Sequence, residues 1–210
     1  MSARLPKPLV LTRRAALLLP FLAAACGDDE PKAFPPLRFK YLQPIRLNVA
    51  DIVVEQRFVP AGVPPDVSML DPVRPIDALK AMADDRLQAF GAAGRAVFII
   101  QDASLTRVKD VIAGSMTVLL DIYTSDNVRA GFAEAHVALR HTGGVDDLRT
   151  TLYDMTKAMM DDMNVEFEYQ VRRNLKDWLT TPTAVSAPVD QAPLDEPAPP
   201  GAPNQDSQAR

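Results

Sequence analysis

The sequence predicts an α+β fold, a two-layer sandwich with elements in the order β-α-β-β-β-α and a mainly antiparallel sheet covered by a long C-terminal helix. Three observations predict it. Leu148, Leu152, Met155, Met159, Met163, Phe167, Val171, Leu175 and Trp178 step by threes and fours, which is the spacing of one helix face. Ile112, Met116, Val118, Leu120 and Ile122 share one parity, the mark of a half-buried strand. Most of the 19 prolines crowd into residues 31–75 and the stretch after Trp178. The middle is thereby left free for regular hydrogen bonding.

The first strand begins at Ile45, Leu47 and Val49, and its parity then slips to Ile52 and Val54. One long strand with a bulge near Ala50-Asp51 accounts for the slip. Residues 60–75 read as an irregular crossover. Ile76, Leu79, Ala83, Leu87 and Phe90 recur at helical spacing, with Gly91 as the C-terminal stop. Ala96 to Leu105 is the second strand and Ile112 to Ile122 the third. Ser125-Asp-Asn127 makes a tight turn into the fourth, Val128 to His141. Asp146 and Asp147 suit the positive end of the final helix dipole, and Arg172, Arg173 and Lys176 the negative end. A kink is expected near Asn164. Phe167 should face the sheet, with Glu166 and Glu168 outward. The folded domain spans 38–180, and no internal repeat is apparent.

The two ends differ from this middle. Met1 to Arg14 holds four cations and no acid, and Ala15 to Ala25 is apolar, as in an export signal. That run is shorter than the roughly 20 residues needed to span a bilayer. Cys26, the only cysteine, stands directly behind three alanines. Leu22-Ala-Ala-Ala-Cys26-Gly27 resembles the lipobox of bacterial lipoproteins, with Ala23 where that family favours leucine. The resemblance implies cleavage of residues 1–25 between Ala25 and Cys26, a diacylglyceryl group on the Cys26 thiol, and an acylated amine. Acylation of this kind holds a protein stably on a membrane. Gly27, rather than aspartate, implies sorting to the outer membrane, facing the periplasm. Thr12-Arg-Arg-Ala-Ala-Leu17 also resembles, in part, a twin-arginine export signal. Residues 26–37 are charged and proline-bearing, the composition of a tether. Residues 181–210 are rich in Pro, Ala, Asp and Gln and are expected to be disordered.

Charge narrows the function classes. Taking Arg4, Lys7, Arg13 and Arg14 from the 23 basic residues leaves 19 against 27 acids, a net charge of −8 after the leader. An acidic chain without a basic cluster is unsuited to nucleic acid. His136 and His141 are an odd number of positions apart in one predicted strand, so they point to opposite faces and cannot share a metal. With Cys26 lipidated no thiol is left as a nucleophile, and there is no Gly-x-Ser-x-Gly elbow or phosphate-binding glycine pattern. Gly143-Gly144 could present amides to an anion, but a flexible loop before a helix cap is the simpler reading. The doublets Asp84-Asp85, Asp146-Asp147 and Asp161-Asp162 lack calcium-loop spacing and read as solvated faces. Met155, Met159 and Met163 could offer thioethers to Cu(I), yet they share a face with Leu152 and Phe167 and read as core. Arg95 and Asp102-Ala-Ser104 form a polar rim. No catalytic, metal-binding or cofactor-binding residue is therefore expected, and the chain does not read as an enzyme.

The element order and final helix, Leu152-Tyr-Asp-Met through Glu168-Tyr-Gln-Val-Arg-Arg-Asn-Leu175, resemble small envelope-assembly lipoproteins. These are the lipopolysaccharide-assembly lipoprotein and the auxiliary lipoproteins of lipid-transport ABC systems. The resemblance implies a non-enzymatic adaptor or assembly factor that meets the membrane through its lipid and binds an envelope protein. The alternative is a carrier that holds a lipid or other amphiphile between helix and sheet. A filled core favours the first, and a continuous apolar cavity under the helix favours the second. The tail makes a separate prediction. Deleting residues 181–210 shifts the thermal midpoint by less than about 5 °C, because so polar a segment buries almost nothing. Paired melts of the two chains measure this.

Overall fold

The computed structural model describes residues 33–180. The expected export signal, its expected cleavage position Ala25–Cys26 and residues 181–210 lie outside the described residues. The strands are β1 (Ile45–Leu47), β2 (Asp51–Gln56), β3 (Leu87–Ala89), β4 (Arg95–Val108), β5 (Val111–Tyr123) and β6 (Arg129–Thr142). The helices are α1 (Pro75–Arg86) and α2 (Leu148–Asn174). The main sheet has the order β2-β4-β5-β6, parallel between β2 and β4 and antiparallel in the β4-β5-β6 meander. Both helices pack on one face of it. The α+β two-layer architecture is thus the one the periodicities predict.

α2 covers the meander with the predicted stripe. Leu152, Met159, Met163, Phe167 and Val171 are fully buried, and Met155 nearly so. Phe167 meets Phe98 of β4 edge-to-face at 5.5 Å between ring centres, a geometry favoured by the ring quadrupoles. Asp147 caps the helix by accepting from the amides of Arg149 and Thr150. α2 is continuous through Asn164, whose side-chain amide donates to the Met160 carbonyl at 2.7 Å. It ends at Asn174, so Leu175 and Trp178, the last residues of the stripe, lie beyond it, Trp178 in a 3-10 turn of Lys176–Trp178.

Three expectations are corrected. The first strand is not one bulged strand. Its two halves, β1 and β2, belong to different sheets, and this change of sheet produces the parity slip. β1 pairs in parallel with β3, and on its other edge with the chain's exit, where Thr180 N donates to Arg46 O at 2.9 Å and Asn48 N to Trp178 O at 2.7 Å. A register shift does occur, in β4 between Ile100 and Asp102. It moves the inward parity from Ala96, Phe98 and Ile100 to Ala103 and Leu105.

Second, α1 stops at Arg86, and Leu87 to Ala89 form β3. Phe90, expected on the buried stripe, is exposed. Third, Gly91 is not a helix stop. Its amide bonds Val49 O, and a Cβ there would lie 2.5 Å from backbone atoms of Asn48 and Val49. It is glycine because two backbones cross there.

Residues 33–37, assigned to the tether, lie against α2. Phe34 stacks on Tyr153 at 5.3 Å, and the Tyr153 hydroxyl donates to Pro35 O at 3.0 Å.

Two substitutions test this packing in urea melts. Phe167→Ala costs about 3–5 kcal/mol, as for other buried aromatics. Gly91→Ala costs about 1–3 kcal/mol, because backbone rather than a pliable side chain must give way.

Candidate functional site

The residues singled out from sequence do not converge. Cys26 lies outside the described residues. His136 points outward from β6 and shares a 2.9 Å hydrogen bond with Thr117, while His141 faces the helix side with a buried Nε2 that has no partner. Met155, Met159 and Met163 are packed in the core, and Met159 fills the space over Gly114. The amides at the start of α2 are taken by Asp147, so Gly143-Gly144 precedes a helix end that is already capped. Asp161 and Asp162 are exposed as expected. Asp85 is not: its carboxylate side chain is 1% exposed and holds the Arg38 guanidinium and the Phe39 amide. Arg95 donates to Asn127 at 2.8 Å at the sheet rim. Among the described residues no group of three His, Cys, Asp or Glu could hold a metal. No described helix is long and apolar enough to cross a membrane.

Sequence reasoning missed Arg86. The last residue of α1, it is 1% exposed. Its Nη1 donates to the backbone carbonyl and side-chain oxygen of Asn164, both at 3.1 Å. Its Nη2 donates to the Gln43 carbonyl at 3.3 Å and to Glu168. One guanidinium thus joins α1, α2 and the chain entering β1. Glu168, expected to face solvent, is half-buried, and its second oxygen accepts from Arg172 Nε at 2.9 Å. Burial would raise the Glu168 carboxyl, but the hydrogen bonds from Arg86 and Arg172 outweigh it and hold the group below its ordinary range. Asp71, on the loop before α1, is the opposite case. Burial pushes it up, against the Thr156 hydroxyl at 2.6 Å and the Val73 amide at 3.0 Å.

Two surfaces follow from this framework. The first is the sheet face away from the helices. Val97 and Ile99 of β4 and Leu119 of β5 form a small buried apolar cluster separate from the core, with Tyr123 packed beside it. In register, Val53 neighbours Val97, Ile99 neighbours Leu119, and Asp121 neighbours Phe132. Arg129 reaches Asp121 at 2.9 Å through Nε and lies 4.4 Å over the Phe132 ring, while Arg95 lies 5.1 Å over Tyr123. Val53 and Phe132 are 43% and 49% exposed.

The second surface is a cleft of about 430 Å³ between β1 and the C-terminal turns of α2. It is lined by Gln43 to Arg46, Glu168, Val171, Arg172, Lys176, Leu179 and Thr180. Arg46 lies 4.7 Å over the Phe90 ring, and its buried Nε has no hydrogen-bond partner among the described residues.

No family model matches this sequence, and no curated protein does. Several solved structures are similar, two of them as follows. One is a protein from Xanthomonas campestris of family DUF330, 7% identical, with a TM-score of 0.36, covering 67% of this chain and 91% of that one. The other, from Caulobacter crescentus CB15, is described as a candidate lipoprotein. It is 12% identical, with a TM-score of 0.32, covering 57% and 85%.

The two shifted carboxyls predict opposite pH trends. A depressed folded value means that Glu168 stabilises the fold above its ordinary 4.5 and that this is lost as pH falls through the lower value. The advantage of wild type over Glu168→Gln should therefore shrink in acid. A raised folded value means that the Asp71 contribution is complete below 3.8 and is lost as pH rises through the higher value. Asp71→Asn should gain on wild type over that rise. Urea melts from about pH 3 to 7 read both slopes.

Proposed function

We propose that this protein is a lipid-anchored component of the bacterial cell envelope, held at the periplasmic side of the outer membrane through Cys26. There it works as a non-enzymatic adaptor that docks an envelope protein on the outer face of its sheet. The lone cysteine behind Ala23-Ala-Ala25 supports the anchor, and Gly27 supports the outer membrane.

The observation that carries the adaptor role is the exposed apolar fringe of this sheet face, Val53 and Phe132 at 43% and 49%, beside the cluster of Val97, Ile99 and Leu119. Around it stand Tyr123, Phe132, Arg95 and Arg129, residue types enriched where proteins meet, with Glu134 and His136 at a polar rim. The inner face favours this role over the carrier. The inward residues of α2 are buried, and Met159 and Phe167 fit directly against Gly114 and Phe98. A carrier would need open apolar space there.

The reading predicts two outcomes in cells. Cys26→Ser abolishes both labelling by an acyl analogue and cleavage of the export signal; continued labelling contradicts the anchor. A photo-crosslinker at Phe132 yields a discrete protein adduct, whereas one at the exposed Lys157 on α2 does not. Equal crosslinking from both positions contradicts the docking face.

A further inference from the structure

We infer that the cleft between β1 and the end of α2 is a binding site for an anionic amphiphile, a phosphate or carboxylate head carried on a hydrocarbon chain. This site lies on the helix side, away from the proposed docking face, and stands independently of the adaptor reading.

Charge is the first ground. Arg46, Arg172 and Lys176 line the cleft against a single carboxylate, Glu168. That carboxylate is already held by the buried Arg86 on one oxygen and by Arg172 on the other. Among the described residues lining the cleft, no further acid offsets the positive charge of Arg46 and Lys176. The helix macrodipole explains basic residues in the last turn of α2. It does not explain Arg46, which comes from β1.

Shape and polarity are the second ground. The cleft, at about 430 Å³, falls within the range of small-molecule pockets. Its remaining wall joins Pro44 and Leu179, with Ile45 and Val171 buried behind them, to Gln43 and Thr180. Cations beside a partly apolar wall fit a charged head with a hydrocarbon chain better than a free inorganic anion. The Arg46 guanidinium, whose buried Nε has no partner among the described residues, supplies a cation for that head.

Trp178, between Lys176 and Leu179 in sequence, lines the neighbouring surface of Asn48, Gly94 and Thr124 rather than the cleft, so binding is read by calorimetry. The full chain, reconstituted in phosphatidylcholine nanodiscs, is titrated with octyl phosphate, inorganic phosphate and octyl glucoside by isothermal titration calorimetry. Octyl phosphate is expected to bind at least tenfold more tightly than either other probe. Lys176→Glu with Arg46→Gln should weaken it at least tenfold. Lys176→Arg should preserve binding, as should Arg173→Gln, whose residue is exposed and outside the cleft.

Equal affinity for inorganic phosphate, binding indifferent to the double variant, or no binding of octyl phosphate each overturns the proposal. Nanodiscs containing phosphatidylglycerol separate the sources. Competition with octyl phosphate supports the site and makes its ligand a bilayer lipid headgroup. Unchanged octyl phosphate binding supports the site and makes its ligand a free amphiphile.

Discussion

The structure depends on one buried cation. A guanidinium removed from water without partners costs several kcal/mol, so Arg86 can sit at the end of α1 only where acceptors converge on it. The Gln43 carbonyl, both oxygens of Asn164 and the Glu168 carboxylate supply them. Each acceptor comes from a different part of the chain than α1. Meeting the needs of Arg86 therefore sets where α2 crosses α1 and where the chain enters β1. It also explains why α1 ends there: the chain turns at once into β3, which pairs with the strand that Gln43 leads into.

Both candidate surfaces inherit their form from this arrangement. Because α1 and α2 are locked together over one face of the sheet, the other face is left with its own small apolar cluster and a fringe of arginines. The cleft exists because β1 is held beside the end of α2. Its charge follows from the same interaction: Glu168 would otherwise be the natural partner of the nearby cations, but Arg86 has already engaged it. An internal structural pair thus leaves unpaired charge at the surface.

Much of the fold was legible in the sequence because it rests on local periodicity. The stripe from Leu148 to Val171 and the single-parity run from Ile112 to Ile122 each need only one element and one core, and both lie where the pattern places them. What was illegible depends on distant partners. Arg86 resembles any basic residue closing a helix, and its burial comes from Asn164 and Glu168, about 80 positions away. Asp85 looks like half of a solvated doublet until Arg38 and the Phe39 amide reach it. Gly91 carries a stop signal in sequence, whereas its real constraint is the backbone of Asn48 and Val49. The parity slip at Ala50 was visible, but a bulge and a change of sheet leave the same trace. The proposed anchor rests on a local motif, Leu22 to Gly27, while the cleft has no such trace, since β1 and Lys176 are brought together only by the tertiary fold.

The most direct test is the unfolding free energy of Arg86→Met, a variant that keeps bulk and helix propensity while removing the charge and its donors. Equilibrium urea unfolding at neutral pH, compared with wild type, measures it. The account predicts a loss of about 3–5 kcal/mol, because Glu168, Asn164 and the Gln43 carbonyl lose their shared donor together. A change within about 0.5 kcal/mol, the size of an ordinary surface substitution, would contradict it and mean that the helices and β1 are held in place by apolar packing alone.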